Sequence, residues 1–207
     1  MGREPALNAN QPPPPLYEAN RWPVPDNGSP TFRAVAAEYY TVALQAARCL
    51  FAAMCIALDE PLDGETFSYT SDPLAQLRMW RYEGGGDDGG LPEHTDHGFL
   101  TLLLQDGSGG LQIRNAAGCW IDVPPAPSTL VVNTGRLLAQ WTRNDFPATV
   151  HRVLRNTKDR YSIALFWAPS HDCRIRVESG GSSEDVSVGE YIEEGYRWQG
   201  SVNAKST

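Results

Sequence analysis

The chain has 207 residues with 17 basic and 25 acidic side chains, a net charge of −8. That length suffices for one domain with a sizeable core, and the apolar content is that of a folded protein. The acidic balance, with no Lys/Arg run, argues against a nucleic-acid backbone or an anionic membrane as partner. No apolar run approaches the roughly 20 residues needed to cross a bilayer.

Residues 1–30 are rich in proline, with Pro12 to Pro15 followed by Pro23, Pro25 and Pro30. Polyproline is extended and has no internal hydrogen bonds, so this stretch is expected as an arm over the domain or as disordered chain. Its start lacks the apolar core of a signal peptide, which makes the cytoplasm the expected location. The four cysteines, Cys49, Cys55, Cys119 and Cys173, form no C-x-x-C and are expected as reduced thiols.

Ser29-Pro30 supplies a capping side chain and a first-turn proline. Apolar residues then recur at Phe32, Val35, Ala36, Tyr39, Ala43, Ala46, Ala47, Leu50, Met54 and Leu58, which predicts one long amphipathic helix over 31–60, ended near Pro61. Its face needs a partner, most simply the outside of a sheet. A short helix or turn is expected over 62–69.

From Leu74 onward the pattern becomes strand-like, first through Leu77, Met79, Trp80 and Tyr82. A glycine-rich connection, Gly84 to Gly90, follows. It is no phosphate loop, because no Lys-Ser/Thr comes after it. Short strand-like runs at 99–104, 110–114, 119–122, 128–133, 148–154, 160–167 and 173–177 are punctuated by Gly, Pro, Asn and Asp. Such a series predicts a mostly β fold, an antiparallel jelly roll buttressed by the long helix. Residues 31–196 are read as the single domain. Residues 179–183 are expected as a linker, the stretch from Val186 as a small docking element, and 197–207 as a flexible tail.

Within this frame His94-Thr95-Asp96 is the first candidate site. On a strand, residues two apart share a face, so the imidazole and the carboxylate can reach one metal ion. His151, in the β-branched run Thr149-Val150-His151-Arg152-Val153, is the candidate third ligand, although alone it reads as an ordinary strand histidine. Two imidazoles and one carboxylate on one face of a metal leave the other face open, which suits ferrous iron and dioxygen. His97 points away by alternation, and His171 lies past a strand end as a surface or entrance residue. Arg160 and Ser162 again share a face. A buried arginine fork with a hydroxyl beside it is a carboxylate receptor; a surface arginine beside a strand serine is the plainer alternative.

The order His94-x-Asp96, His151, Arg160-x-Ser162 resembles the isopenicillin N synthase-like branch of the iron(II)/2-oxoglutarate dioxygenases. The resemblance extends to His94 through Thr101, Gly110-Leu111-Gln112, Gly118-Cys119-Trp120-Ile121, Val131 through Gly135, Asn144 with Thr149 through Val153, and Trp80-Arg81-Tyr82, covering about residues 31–196. It implies a double-stranded β-helix in which His94, Asp96 and His151 hold Fe(II) as the catalytic centre. Arg160 and Ser162 would bind the distal carboxylate of 2-oxoglutarate, with Tyr82 a further contact. The implied reaction consumes dioxygen, converts 2-oxoglutarate to succinate, and hydroxylates, desaturates or cyclises a small organic molecule, plausibly a natural-product intermediate. The family's usual N-terminal region is expected to be missing, with a second copy of the chain one way to cover the open side. Arg136 stands where the family usually carries an acidic residue. The alternatives are an iron oxidase of the same fold that uses no 2-oxoglutarate, a zinc hydrolase, and a catalytically inactive binding module. Strand alternation offers Arg78, Trp80, Gln112, Arg114 and Phe166 or Trp167 as candidate pocket residues.

Overall fold

The structure is a computed structural model that describes residues 1–2, 16, 20–23, 31–60, 70–85, 90–179 and 182–203. The Ser29-Pro30 cap, the turn expected over 62–69, most of the proline-rich arm, and the centres of the glycine-rich connection and the linker lie outside the described residues. The chain divides into two compact units. One comprises Met1–Leu77, Trp167–Ile175 and Asp185–Thr207; the other comprises Arg78–Phe166 and Arg176–Glu184.

In the first unit, α1 spans Thr31–Ala57. Its alanine-rich sequence has high helix propensity and no internal Gly or Pro. Beyond it Asp59 takes a left-handed conformation (φ 55°). The Glu60 N–H then reaches the Cys55 carbonyl, and that of Asp59 reaches Ile56, so the last carbonyls are satisfied. The buried face is Ala36, Tyr40, Ala43, Ala47, Phe51 and Cys55. Phe51 packs on Trp167 at 5.3 Å between ring centroids, and the Tyr40 hydroxyl donates to the Ala75 carbonyl at 3.2 Å. Full burial of a side chain such as Phe51 stabilises by about 1.5–3 kcal/mol. The helix thus buttresses strand ends as expected, with Ala36, Ala43 and Ala47 of the expected face buried, but the buried stripe extends to Tyr40, Phe51 and Cys55 in place of its other members. Phe32 and Val35, expected inside, are exposed. By length and composition alone Phe32–Ala57 is apolar enough to cross a membrane. Scattered polar residues such as Arg33, Glu38 and Arg48 break it into runs too short for a run-based reading to register.

The same unit holds a helix over Val188–Asn203, designated α3 below. Ser187 and Glu190 cap it reciprocally: the Ser187 hydroxyl donates to the Glu190 carboxylate at 2.9 Å and accepts from the Glu190 N–H at 3.1 Å. Val188 and Ile192 form its buried side. The helix continues past the 196 boundary expected from sequence.

The strands among the described residues are β1 Pro73–Tyr82, β2 Leu91–His94, β3 Leu100–Gln105, β4 Leu111–Arg114, β5 Trp120–Asp122, β6 Val131–Thr134, β7 His151–Val153, β8 Arg160–Ser170, β9 Arg174–Ser179 and β10 Ser182–Ser187. One four-stranded sheet has the order β1-β8-β3-β6, a second has β2-β7-β4-β5, and β9 pairs with β10. A short helix α2, Arg136–Trp141, follows β6. Neighbouring strands distant in sequence, with antiparallel pairing of β2–β7, β3–β6, β4–β5 and β4–β7, give the jelly-roll arrangement of a double-stranded β-helix. Of the linker expected over 179–183, Ser179 ends β9 and Ser182 and Ser183 open β10, and Val186 falls at the end of β10 rather than opening a separate element.

Candidate active site

The site is built within the second unit. β2 and β7 run antiparallel with His94 opposite His151, so the two imidazoles are cross-strand neighbours, 4.2 Å between ring centroids. Each Nδ1–H donates at 2.9 Å to a backbone carbonyl two residues earlier, His94 to Pro92 and His151 to Thr149. Those bonds fix the tautomer and turn both Nε2 lone pairs to the same place. Asp96 Oδ1 lies 3.8 Å from each Nε2. The three candidate ligand atoms all fall within 4.8 Å of one another.

Asp96 gets there differently from the expected route. β2 ends at His94, so the pair does not share a strand face; Thr95 and Asp96 lie beyond the strand. The first turn of α2 holds this segment by its backbone. The Gly135 N–H donates to the Phe99 carbonyl at 2.9 Å, that of Arg136 to Asp96 at 2.8 Å, and that of Leu137 to His97 at 3.2 Å. Glycine is required at 135, because a Cβ there would run into the Gly98 carbonyl group.

The two oxygens of the carboxylate have separate tasks. Asp96 is buried, and its Oδ2 accepts from the Thr101 hydroxyl at 2.6 Å and from Asn133 Nδ2 at 2.8 Å, while Oδ1 faces the imidazoles. Thr101 and Asn133 are register partners in β3–β6, so one rung of the sheet supplies both donors. Sequence reasoning assigned neither a role, since each reads there only as a strand residue. Burial, reinforced by His151, holds the His94 imidazole below its usual pKa range, against the opposing pull of the Pro92 carbonyl and Asp96. Neutral imidazole is the form that ligates metal. The donor set, two imidazole nitrogens and a carboxylate oxygen converging from one side, fits ferrous iron with an open face.

Arg160 opens β8 and is fully buried, at 1% exposure. Its Nε donates to the Gly109 carbonyl at 3.0 Å and its Nη2 to Gln105 Oε1 at 3.4 Å, whereas the buried Nη1 has no partner. Gly109 presents that carbonyl from a left-handed backbone (φ 76°) that favours glycine. The guanidinium lies over the Tyr82 ring at 5.1 Å, and Ser162, two residues along β8, is buried beside them on the same face. Burial raises the Tyr82 pKa, opposed by the charge of Arg160 and by Ser162. An orphaned guanidinium nitrogen next to a buried hydroxyl fits one end of a dicarboxylate. Thr101 and Gln105 alternate along one face of β3, so the histidine–carboxylate cluster and the Arg160 group share that face, separated by four residues or about 13 Å of strand.

The other candidates separate clearly. His97 is buried and its Nδ1 contacts Arg136 Nη2, away from the cluster. His171 belongs to the first unit, where it is largely buried against Gly189 rather than lying at the surface. Gln112 pairs with Arg152 and Ile113 with His151, so Gln112 and Arg114 occupy the face opposite the imidazoles. There Arg152 donates to Gln112 and stacks on Trp120 at 4.0 Å. The expectation that Gln112 and Arg114 line the pocket is corrected accordingly. Trp167 is excluded as well, being fully buried against Phe51. Arg78, Trp80 and Phe166 stay together on the face that bears Tyr82 and Arg160.

Comparison with known proteins agrees with this geometry. Residues 72–169 match the family model described as the 2OG-Fe(II) oxygenase superfamily. The chain is 33% identical over 186 residues to clavatol oxidase claD of Penicillium crustosum, covering 84% of this chain and 54% of the relative. It is 35% identical over 162 residues to a 2-oxoglutarate-Fe(II) type oxidoreductase of Aspergillus fumigatus, covering 74% and 47%. A full-length Neurospora crassa protein, crystallised in complex with alpha-KG, superposes with a TM-score of 0.78 at 26% identity, over 94% of this chain and 63% of that one. The chain spans about half the length of the curated relatives it matches. With its jelly roll and its histidine–carboxylate cluster, the chain belongs to the 2OG-Fe(II) oxygenase superfamily.

Proposed function

We propose that this protein is an iron(II)- and 2-oxoglutarate-dependent oxygenase acting on a small organic molecule, with His94, Asp96 and His151 as metal ligands and Arg160, Ser162 and Tyr82 holding the cosubstrate. The observation that carries the reading is the convergence of His94 Nε2 and His151 Nε2 on Asp96 Oδ1, each imidazole oriented by its own carbonyl. When bound, iron and 2-oxoglutarate together supply the power to activate dioxygen and oxidise an unactivated carbon, 2-oxoglutarate ending as succinate and carbon dioxide.

The chain's own residues supply position and charge. His94 and His151 present nitrogen lone pairs from one side. Thr101 and Asn133 donate to the other oxygen of Asp96 and so aim the free one at the metal. Arg160 and Ser162 orient the cosubstrate carboxylate, Tyr82 closes over the guanidinium, and the surrounding apolar strands exclude water. Similarity to a protein named clavatol oxidase supports a role in natural-product metabolism. The free cysteines support a cytoplasmic location. The test is succinate release from 2-oxoglutarate by the iron-loaded protein. Wild type should release it, and His151→Ala should not; equal release by both would sink the ligand assignment.

A further inference from the structure

The outward side of α1 carries an apolar pattern that its own core face does not use. Phe32, Val35, Tyr39 and Val42 follow one another in the first half of the helix at alternating spacings of three and four. The same spacing continues through Ala46, Cys49, Ala53 and Ile56 in the second half. Apolar residues repeated in this way over about three and a half heptads form a coiled-coil seam. Phe32, Val35, Val42 and Ile56 are 48% to 65% exposed, Cys49 and Ala53 are exposed, and Tyr39 and Ala46 are half-buried. Trp22 meets Phe32 edge-on at 6.4 Å between ring centroids and still leaves about half of that side chain open.

The distribution of size and charge along the seam selects what covers it. The larger side chains lie mostly in the first half and the smaller ones in the second, so a parallel, in-register pair would be crowded at one end and thin at the other. An antiparallel second copy centred on Leu44 sets the two halves against each other. Val35 then meets the partner's Ala53, Tyr39 the partner's Cys49, and Val42 the partner's Ala46, each a larger side chain against a smaller one. Phe32 meets the partner's Ile56 at both ends, and two-fold symmetry gives every layer twice. Glu38 and Arg48 flank the seam on one side, and both are exposed. The antiparallel register brings each Glu38 within two residues, about 3 Å of helix rise, of the level of the partner's Arg48. The parallel register separates them by ten residues, about 15 Å. A bilayer is the other apolar medium such a stripe could meet. A spanning helix, however, is apolar to its surroundings all round, and Tyr40, Ala47 and Phe51 on the opposite side of α1 are buried in the protein.

We propose that α1 is a dimerisation helix, and that two copies of this chain pair through Phe32 to Ile56 as an antiparallel coiled coil. This inference does not depend on the oxygenase reading.

The test is sedimentation equilibrium of the full chain. Wild type should approach twice the monomer mass as its concentration rises. Val42→Asp, at a residue 61% exposed, should stay monomeric with an unchanged circular dichroism spectrum. Glu38→Arg and Arg48→Glu each set two like-charged pairs in the dimer and should raise its dissociation constant about tenfold. The double variant Glu38→Arg/Arg48→Glu should return to near wild type, a recovery that general loss of stability does not produce. Direction is read by mild oxidation in a Cys49→Ser/Cys119→Ser background. There, Val35→Cys and Ala53→Cys chains should cross-link when mixed and not when alone. Cross-linking of either one alone would overturn the antiparallel register. Wild type that stays monomeric at its highest soluble concentration, or a dimer that survives Val42→Asp, would overturn the proposal. So would a monomeric wild type that floats with phosphatidylcholine vesicles when Val42→Asp does not, which would assign this face to a lipid surface.

Discussion

Thr101→Val removes one hydroxyl and almost no volume, and the structure assigns that hydroxyl one task. It donates at 2.6 Å to Asp96 Oδ2, on a carboxylate residue only 7% exposed. With the donor gone, Asn133 alone holds that oxygen. A hydrogen bond to a charged group contributes about 1.5–3 kcal/mol, and loss of such a supporting partner lowers metal affinity by about 10- to 100-fold. The two figures agree, since each factor of 10 is about 1.4 kcal/mol. Mn(II) titration under nitrogen, followed calorimetrically, should therefore show the dissociation constant of Thr101→Val raised by about 10- to 100-fold. Thr101→Ser keeps the hydroxyl and should stay near wild type. Asn133→Asp, which sets a second carboxylate against Asp96, should be worse than Thr101→Val. A Thr101→Val dissociation constant within twofold of wild type would refute the claim that Asp96 is held for metal by its unused oxygen.

Three further outcomes follow from particular contacts. Gly135→Ala would press a Cβ onto the Gly98 backbone, 2.8 Å from its carbonyl carbon and 3.1 Å from the Asp96 carbonyl oxygen; thermal melts should show a loss of about 1–3 kcal/mol together with weakened metal binding, and an unchanged melting temperature would contradict the packing argument. Arg160→Lys keeps the charge but loses the fork, so 2-oxoglutarate affinity should fall by about tenfold or more while Mn(II) affinity without 2-oxoglutarate stays put; parallel losses would mean that the two groups are not separate. Asp159 accepts from the Gly84 N–H and the Arg81 side chain, which hold its pKa below the usual carboxylate value. A depressed carboxylate pKa contributes stability that is present above the ordinary, unfolded-chain value of 3.8 and is lost as pH falls through the folded value. The melting-temperature gap between wild type and Asp159→Asn should thus be present at neutral pH and close below about pH 4; a gap independent of pH would exclude the ionic origin.

The parts of the molecule legible in sequence are those with strong periodicity or unusual chemistry. Short strands separated by turn residues announce the β architecture, and the long apolar periodicity announces α1. Which face of α1 is buried is not legible, because alanines and larger apolar residues surround nearly the whole helix. Tyr40 and Phe51 face inward only because Ala75 and Trp167 await them. The cluster of His94, Asp96 and His151 is legible as residue types, but the way it is assembled is not. Strand alternation does not align His94 with Asp96; the backbone donors of α2 turn the chain after β2 ends. The α2 segment, Arg136–Trp141, carries no separate signal in sequence, and nothing local reveals that its first turn grips residues 96–99. Gln112 and Arg114 are misplaced by sequence because alternation on β4 gives two faces without saying which one looks at His151; only the register with β7 decides that. Thr101 and Asn133 read in sequence only as strand residues, since a lone Thr and Asn in strands announce nothing until their carboxylate partner is in place.

The most direct test of the account is the visible spectrum of the protein with Fe(II) under nitrogen, before and after 2-oxoglutarate. Binding of both at one centre should produce a charge-transfer band that is absent with iron alone. The band should be missing in His151→Ala, and in Arg160→Lys it should appear only at higher 2-oxoglutarate. No band in wild type at saturating iron and 2-oxoglutarate, or an undiminished band in His151→Ala, would contradict the assignment of His94, Asp96 and His151 as the iron site.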